Sequence, residues 1–310
     1  MSVFTVRHVS TYRYARPVSF GPHRLMVRPR DSHDMRLLGT TLAIDPAPAS
    51  LRWMHDVFGN SVAVATFEGT ANQIRFESEI RLEQFPADVL DAPVEDHART
   101  YPFSYSAEEI PDLGRTNERH HPDPDHRVDA WAKPFAVPEA GGGPVETLAM
   151  LAGMAQAIKG GFVYVPRDAE GTQTPVETLD AGSGSCRDFA LFMMEAARSL
   201  GLAARFVSGY LYDPATEGGP GAATGAGATH AWVEVYLPGA GWVEIDPTNG
   251  LVGTRNLIRV AVVRDPAQAV PLSGSWTGAP ADYLGLAVEV TVRRDATPAA
   301  SLFAAVPAGA

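Results

Sequence analysis

Cys186 is the only cysteine of the 310 residues, and its surroundings are unusual for a buried thiol. It follows Ala181-Gly182-Ser183-Gly184-Ser185 and precedes the apolar run Phe189-Ala190-Leu191-Phe192-Met193-Met194. This pattern predicts a thiol at a glycine-rich turn that opens a helix. A helix N-terminus aims unpaired N–H groups and the positive end of its dipole at such a sulfur, which favours thiolate and could stabilise an oxyanion. A free cysteine is more often a small core hydrophobe, but a residue present only for packing needs neither glycine. The turn therefore suits a nucleophile.

Further along, His230 opens the alternating segment His230-Ala231-Trp232-Val233-Glu234-Val235-Tyr236-Leu237, and Asp246 ends Trp242-Val243-Glu244-Ile245-Asp246-Pro247. Facing strands must alternate in step, so the aliphatic residues share a face when Val235 lies opposite Val243 and Val233 opposite Ile245. His230, Trp232, Glu234, Trp242, Glu244 and Asp246 then share the other face. Asp246 falls one same-face step from His230, a diagonal of roughly 7 Å between backbones that side chains can close. The same register sets Glu234 against Glu244, an unfavourable like-charge pair without a compensating cation. Taken singly, a histidine beside tryptophan is an ordinary structural residue and Asp-Pro an ordinary strand end. Together with the cysteine turn they stand in the order of a nucleophilic triad.

Three blocks carry a resemblance: Gly184-Ser185-Cys186-Arg187-Asp188-Phe189-Ala190, His230-Ala231-Trp232-Val233-Glu234-Val235 and Gly241-Trp242-Val243-Glu244-Ile245-Asp246-Pro247-Thr248. In this order they resemble the bacterial transglutaminase-like superfamily. Thr11-Tyr12-Arg13-Tyr14, Pro17-Val18, Arg28-Pro29-Arg30 and Asp56-Val57-Phe58-Gly59-Asn60 are similar to the N-terminal domain that precedes the core in many bacterial members. One departure is Val263-Arg264-Asp265-Pro266, where relatives often carry glycine before the arginine and an aromatic after the aspartate. The resemblance implies a papain-like, transglutaminase-like core, with the cysteine-bearing helix packed on an antiparallel sheet. It also implies acyl transfer through a thioester, with Cys186 as nucleophile, His230 as acid and base, and Asp246 orienting the imidazole. The expected oxyanion donors are the Cys186 N–H with Tyr164 or Gln173, and Gly184, Ser185 and Trp232 are expected to line the cleft. The expected substrate is a peptide or protein, with hydrolysis of a peptide or isopeptide bond favoured over transfer to an amine and no metal or cofactor required. A rival of another class is a non-catalytic peptide-binding or scaffold module.

The elements that must hold these residues follow from the rest of the chain. Short alternating segments separated by turns, from 3 to about 85, predict a β-sandwich. A Pro- and Asp-rich connector follows, with a short helix starting near Asp123-Pro124. Helical spacing over 145–158 ends at Gly160-Gly161. The expected fold class is α+β, divided into an N-terminal β-sandwich (1–87), a connector (88–142), a catalytic core (143–295) closed by a strand at 286–292, and a loose tail (296–310). His120, His121 and His126 lack the companion ligands of a metal site and read as a solvated linker. The Gly/Ala-rich stretch 213–228 before His230 reads as a tolerated surface insertion rather than a lid.

A formal net charge of −11 with no run of basic residues argues against a nucleic-acid partner. Only Lys133 and Lys159 could offer side-chain amines for self-cross-linking. No apolar stretch approaches the ~20 residues of a membrane span, so no membrane association is expected. The opening Met1-Ser2-Val3-Phe4-Thr5-Val6-Arg7 reads as strand rather than leader. A cytoplasmic location is expected, and a single cysteine suits a reducing compartment.

Overall fold

The computed structural model describes residues 2–85, 93–138, 143–167, 171–217, 223–224, 227–253 and 256–295. The alternating N-terminal segments form β1 (Ser2–Phe20), β2 (His23–Arg28), β3 (Met35–Asp45), β4 (Ser50–His55), β5 (Ser61–Thr66) and β6 (Ala71–Gln84). Then come the helices α1 (Glu109–Leu113), α2 (Arg127–Ala132), α3 (Thr147–Gly161), α4 (Pro175–Ala181) and α5 (Cys186–Ser199). Counting only strands of the larger sheets, the chain continues with β7 (Ala204–Leu211), β8 (Thr229–Leu237), β9 (Gly241–Asp246), β10 (Leu251–Val252), β11 (Leu257–Val263), β12 (Leu272–Ser273), β13 (Trp276–Thr277) and β14 (Tyr283–Arg294).

Two antiparallel sheets make up the N-terminal part, one ordered β13-β1-β6-β3 with β14 also on β1, the other β12-β2-β5-β4. Tyr14, Phe20, Ile74 and Phe76 from the first meet Leu25, Val27, Ala63 and Ala65 from the second in one apolar layer. The strand at 286–292 does not close the catalytic core as its position in sequence suggested. It lies within β14, which runs antiparallel to β1 with Val292 opposite Val6, Val290 opposite His8 and Val288 opposite Ser10. The long β1 needs a hydrogen-bonding partner on each side, and local alternation in β14 does not disclose which sheet it completes. The tail at 296–310 lies outside the described residues.

The core is a sheet ordered β10-β9-β8-β7-β11 with α5 against it. Of α5, residues 188 to 198 are all buried, the signature of a central rather than a surface helix. Phe189, Phe192 and Met193 meet α2 and α3 residues such as Val128, Met150 and Leu151, and the aliphatic face of the sheet at Val233, Val235, Val243 and Ile245. Beyond Asp188 in its first turn, α5 buries two charges, Glu195 and Arg198, bonded to each other at 2.9 Å. Glu195 also accepts the backbone N–H groups of His120 and His121 at 3.2 and 3.3 Å. The solvated-linker reading is therefore corrected for these two histidines, because a buried carboxylate without donors would be costly and the connector supplies them. His126 is exposed, as expected of a linker residue. The short helix predicted near Asp123 is α2, whose first turn donates Arg127 and Val128 N–H to the Asp123 carboxylate at 2.9 Å each.

A second apolar layer joins the two parts. Phe4, Val6, Met35, Ile80, Leu82 and Val290 from the N-terminal sheet pack on Tyr210, Tyr212, Ile258 and Val260 of the core. Polar contacts reinforce it: Gln84 donates to Leu257 O at 2.7 Å, and Asn60 both donates to Val262 O and accepts from Val262 N at 2.8 and 2.9 Å. At about 1.5–3 kcal/mol for each fully buried large apolar side chain, this layer is a core in its own right rather than a sliding surface.

Candidate active site

The turn before α5 is built by two glycines acting for different reasons. Gly182 ends α4 in the left-handed region at φ 56°, where a Cβ is disfavoured. Gly184 has ordinary dihedrals, but a Cβ there would lie 2.8 Å from Asp188 Cβ and 3.2 Å from Gln173 Oε1. Ser185 is the N-cap and Cys186 the first residue of the helix. The Asp188 carboxylate, fully buried, closes the turn by accepting Ser185 N and Ser185 Oγ at 2.8 Å each. Its other oxygen accepts Gln173 N–H at 2.6 Å, tying the preceding segment to the cysteine turn. Asp188 was not singled out from sequence, although Ser185-x-x-Asp188 is a capping-box spacing that could have revealed it.

Strands β8 and β9 pair in the expected register, with Val233 opposite Ile245, Glu234 opposite Glu244 and Val235 opposite Val243. Within it His230 Nε2 meets Asp246 Oδ2 at 2.8 Å, both side chains fully buried. Asp246 also accepts Thr248 N at 2.9 Å, Asn249 N at 3.2 Å and Asn249 Nδ2 at 2.8 Å. Burial works to raise the Asp246 pKa, but the His230 charge and these hydrogen bonds hold it below the usual carboxylate range. Asn249 escaped sequence analysis, since nothing local distinguishes it from an ordinary residue after Asp-Pro.

The other nitrogen of the imidazole, Nδ1, has no hydrogen-bond partner among the described residues, and the Cys186 thiol lies near enough to influence the charge of the ring. Burial works to lower the His230 pKa. Asp246, through charge and hydrogen bond, and then Cys186 outweigh that effect and push it up to about 10. The imidazole is thus held as a cation at neutral pH.

The remaining expected residues divide. Tyr164 interacts with the Cys186 thiol; burial, then Cys186, push its pKa up to about 12, so the phenol stays a donor. Its strand residues Val163 and Tyr164 pair in parallel with Ser183 and Gly184, which sets it beside the turn. Gln173 lies against the same turn, its Oε1 accepting from Thr178 Oγ1 at 3.1 Å. Ser185 is half-buried and Gly184 buried. Trp232 does not line a cleft: it is fully buried with Val207, Leu211 and Leu257, its indole stacked 6.0 Å from the imidazole of His230. Parity placed it on the correct face but could not show that this face is covered. Of the stretch before His230, Thr224 bonds Asn249 in both directions, at 3.0 and 3.3 Å, so part of the insertion reaches the site. Residues 218–222 and 225–226 lie outside the described residues.

The expected clash of Glu234 and Glu244 is resolved by a residue far along the chain, Arg259, whose Nη1 lies 2.8 Å from Glu244 and 3.5 Å from Glu234. Among the described residues, no group of three or more His, Cys, Asp or Glu is arranged to hold a metal.

Comparison with known proteins returns two family matches. Residues 4–83 match the bacterial transglutaminase-like N-terminal region, and residues 139–247, which contain Cys186, His230 and Asp246, match the transglutaminase-like superfamily core. An uncharacterised Mycobacterium tuberculosis protein is 28% identical over 302 residues, covering 93% of this chain and 92% of its own. A protein-glutamine gamma-glutamyltransferase of Pseudomonas aeruginosa is 36% identical over 70 residues, 23% of this chain and 10% of that one. A Cytophaga hutchinsonii crystal structure, described provisionally as a cysteine protease, superposes with a TM-score of 0.66 at 18% identity, covering 98% of this chain and 94% of that one.

Proposed function

We propose, for a chain that belongs to the transglutaminase-like superfamily and carries the bacterial transglutaminase-like N-terminal region, that Cys186, His230 and Asp246 form its catalytic triad. Membership supports a cysteine-based acyl-transfer or protease-type enzyme. The observation that carries the finer reading is the His230 imidazole, bonded through Nε2 to Asp246 and left with Nδ1 for the Cys186 thiol.

In this mechanism His230 holds the proton of Cys186, and the sulfur attacks an amide carbonyl to form a C–S bond and an oxyanion. The first-turn N–H of Cys186 and the phenol of Tyr164, which interacts with the Cys186 thiol, are the donors for that oxyanion; Gln173 is the alternative side-chain donor. As the C–N bond breaks, His230 gives its proton to the leaving amine, and a thioester remains. Water, deprotonated by His230, then releases the acid and restores the thiol. Asp246 keeps the imidazole in one orientation and stabilises its cation throughout. No step requires a cofactor.

Hydrolysis of a peptide or isopeptide bond is the preferred outcome, because water as acceptor needs no binding site of its own beside the thioester, whereas an amine acceptor does. Mass spectrometry of peptide mixtures incubated with the protein, with and without a primary amine, tests this. Cleaved or deamidated products that form with amine present, and are lost in Cys186→Ala, are expected. Predominant amine incorporation would replace hydrolysis with transglutamination, and peptide retention without turnover would favour a binding module.

A further inference from the structure

Glu234 and Glu244 face each other across the β8–β9 hairpin, each only 1% exposed. They occupy the same sheet face as His230 and Asp246, on the rung adjacent to Asp246, about 7 Å away along the strands. Two carboxylates so placed repel, and splaying the strands to relieve them would move the histidine away from its aspartate. Arg259 from β11 prevents this, with Nη1 toward both glutamates and Nη2 bonded to the two oxygens of Asp34 at 3.1 Å each. Asp34 belongs to the N-terminal part, and its carbonyl accepts Phe85 N–H at 2.7 Å. Arg205 grips Glu234 from the other side at 2.6 Å and lies 3.9 Å over the Trp242 ring.

The cluster brings three carboxylates to two guanidiniums. Glu244 Oε2 has no partner among the described residues. Burial, with Glu234 and Asp34 adding to it against the pull of Arg259, raises the Glu244 pKa above the usual carboxylate range. The charge balance of the hairpin therefore hangs on Arg259, and the hold on Arg259 comes partly from a residue outside the core.

We infer that Arg259 is a positioning residue for the His230–Asp246 pair, holding the β8–β9 register by bridging Glu234 and Glu244, and that Asp34 makes this bridge dependent on the N-terminal domain. The inference rests on the triad reading above. It gives that domain a role at the site although it supplies none of the three reacting side chains. Lysine cannot replace the arginine, since one ammonium lacks the planar fork that reaches both Asp34 and the glutamates.

Alkylation of Cys186 by iodoacetamide reads the site without a known substrate, and the signal comes from one thiol. Rates are measured on the full chain from about pH 5 to about pH 9, where thiolate formation controls them. The set comprises wild type, His230→Ala, Asp34→Asn, Arg259→Lys, Arg259→Met and Arg259→Met with Glu244→Gln. Expected is a slowing of about tenfold at neutral pH in Arg259→Met with an altered pH profile, because sub-ångström displacement of a catalytic group carries effects of that order. Arg259→Lys and Asp34→Asn should slow labelling less. Glu244→Gln should restore Arg259→Met to within about threefold of wild type, since removing one carboxylate removes the need for the bridge. Unchanged rates and profiles in folded Arg259→Met and Asp34→Asn would overturn the inference. So would a loss that Glu244→Gln leaves unrepaired, since that marks generic structural damage. If Arg259→Met does not fold, Asp34→Asn and Arg259→Lys decide by the same criterion. Labelling that His230→Ala leaves unchanged would overturn the triad reading and the inference with it, whereas slowing in His230→Ala alone overturns only the inference.

Discussion

The His230 imidazole carries two opposed forces, burial that disfavours its charge and an aspartate that demands it. The aspartate prevails, and this has a consequence for stability as well as chemistry. His230 titrates near 6.5 in the unfolded chain and at about 10 in the folded one, so folding takes up a proton between these values. The resulting stabilisation is complete below pH 6.5 and is lost as pH rises through about 10. Urea denaturation of wild type and His230→Gln across this window should show a steeper alkaline loss of stability in wild type. Equal slopes would mean that the histidine is not held as a cation.

At the level of elements, the cysteine turn depends on two glycines whose substitution should separate stability from reactivity. Alanine at 184 drives its Cβ against Asp188 and Gln173 and must displace the carboxylate that closes the turn. Alanine at 182 meets nothing within 4 Å but inherits a φ of 56°. Gly182→Ala should therefore lower thermal stability by about 1–2 kcal/mol with Cys186 labelling nearly unchanged. Gly184→Ala should slow Cys186 labelling several-fold at a stability cost of about 1–3 kcal/mol. Differential scanning calorimetry together with labelling kinetics distinguishes the two, and equal effects on reactivity would refute the division of roles.

Across the whole molecule, the N-terminal sheets and the core share an apolar layer, and His8 marks the seam. Its Nδ1 bonds the Tyr210 hydroxyl of β7 at 2.9 Å, and Nε2 the Ser10 hydroxyl at 3.1 Å. Burial lowers the His8 pKa to about 4, so the unfolded chain binds this proton more readily than the folded one between pH 6.5 and about 4. Stability is lost as pH falls through that range, by up to about 3 kcal/mol from this group. In His8→Gln, which keeps a polar side chain at the seam, the acid loss should shrink accordingly in equilibrium unfolding at both ends of the window. An unaltered loss would place the acid sensitivity elsewhere.

How much of this was legible in the sequence depends on how far apart the interacting residues lie. The cysteine turn and the His230–Asp246 hairpin were readable because turn chemistry and the period-two rule act over a few residues, and the aliphatic face admitted only registers of one parity, among them the one across the Pro238–Gly241 turn. The same rule exposed the Glu234–Glu244 conflict but not its remedy, because Arg259 and Asp34 come from different elements and only packing makes them neighbours. Trp232 was placed on the correct face and given the wrong exposure, since periodicity says which residues share a side and not what covers that side. Likewise β14 announced itself as a strand by alternation, while its pairing with β1 at the opposite end of the chain was decided by backbone hydrogen-bonding needs that operate only in three dimensions. The sequence by itself thus determined which groups stand as the candidate triad and which turn or strand carries each. Tertiary structure decided that the paired glutamates of the hairpin meet Arg259, itself bonded to Asp34 of the N-terminal part, because burial sets the cost of an unpaired charge and only the folded chain determines what is buried.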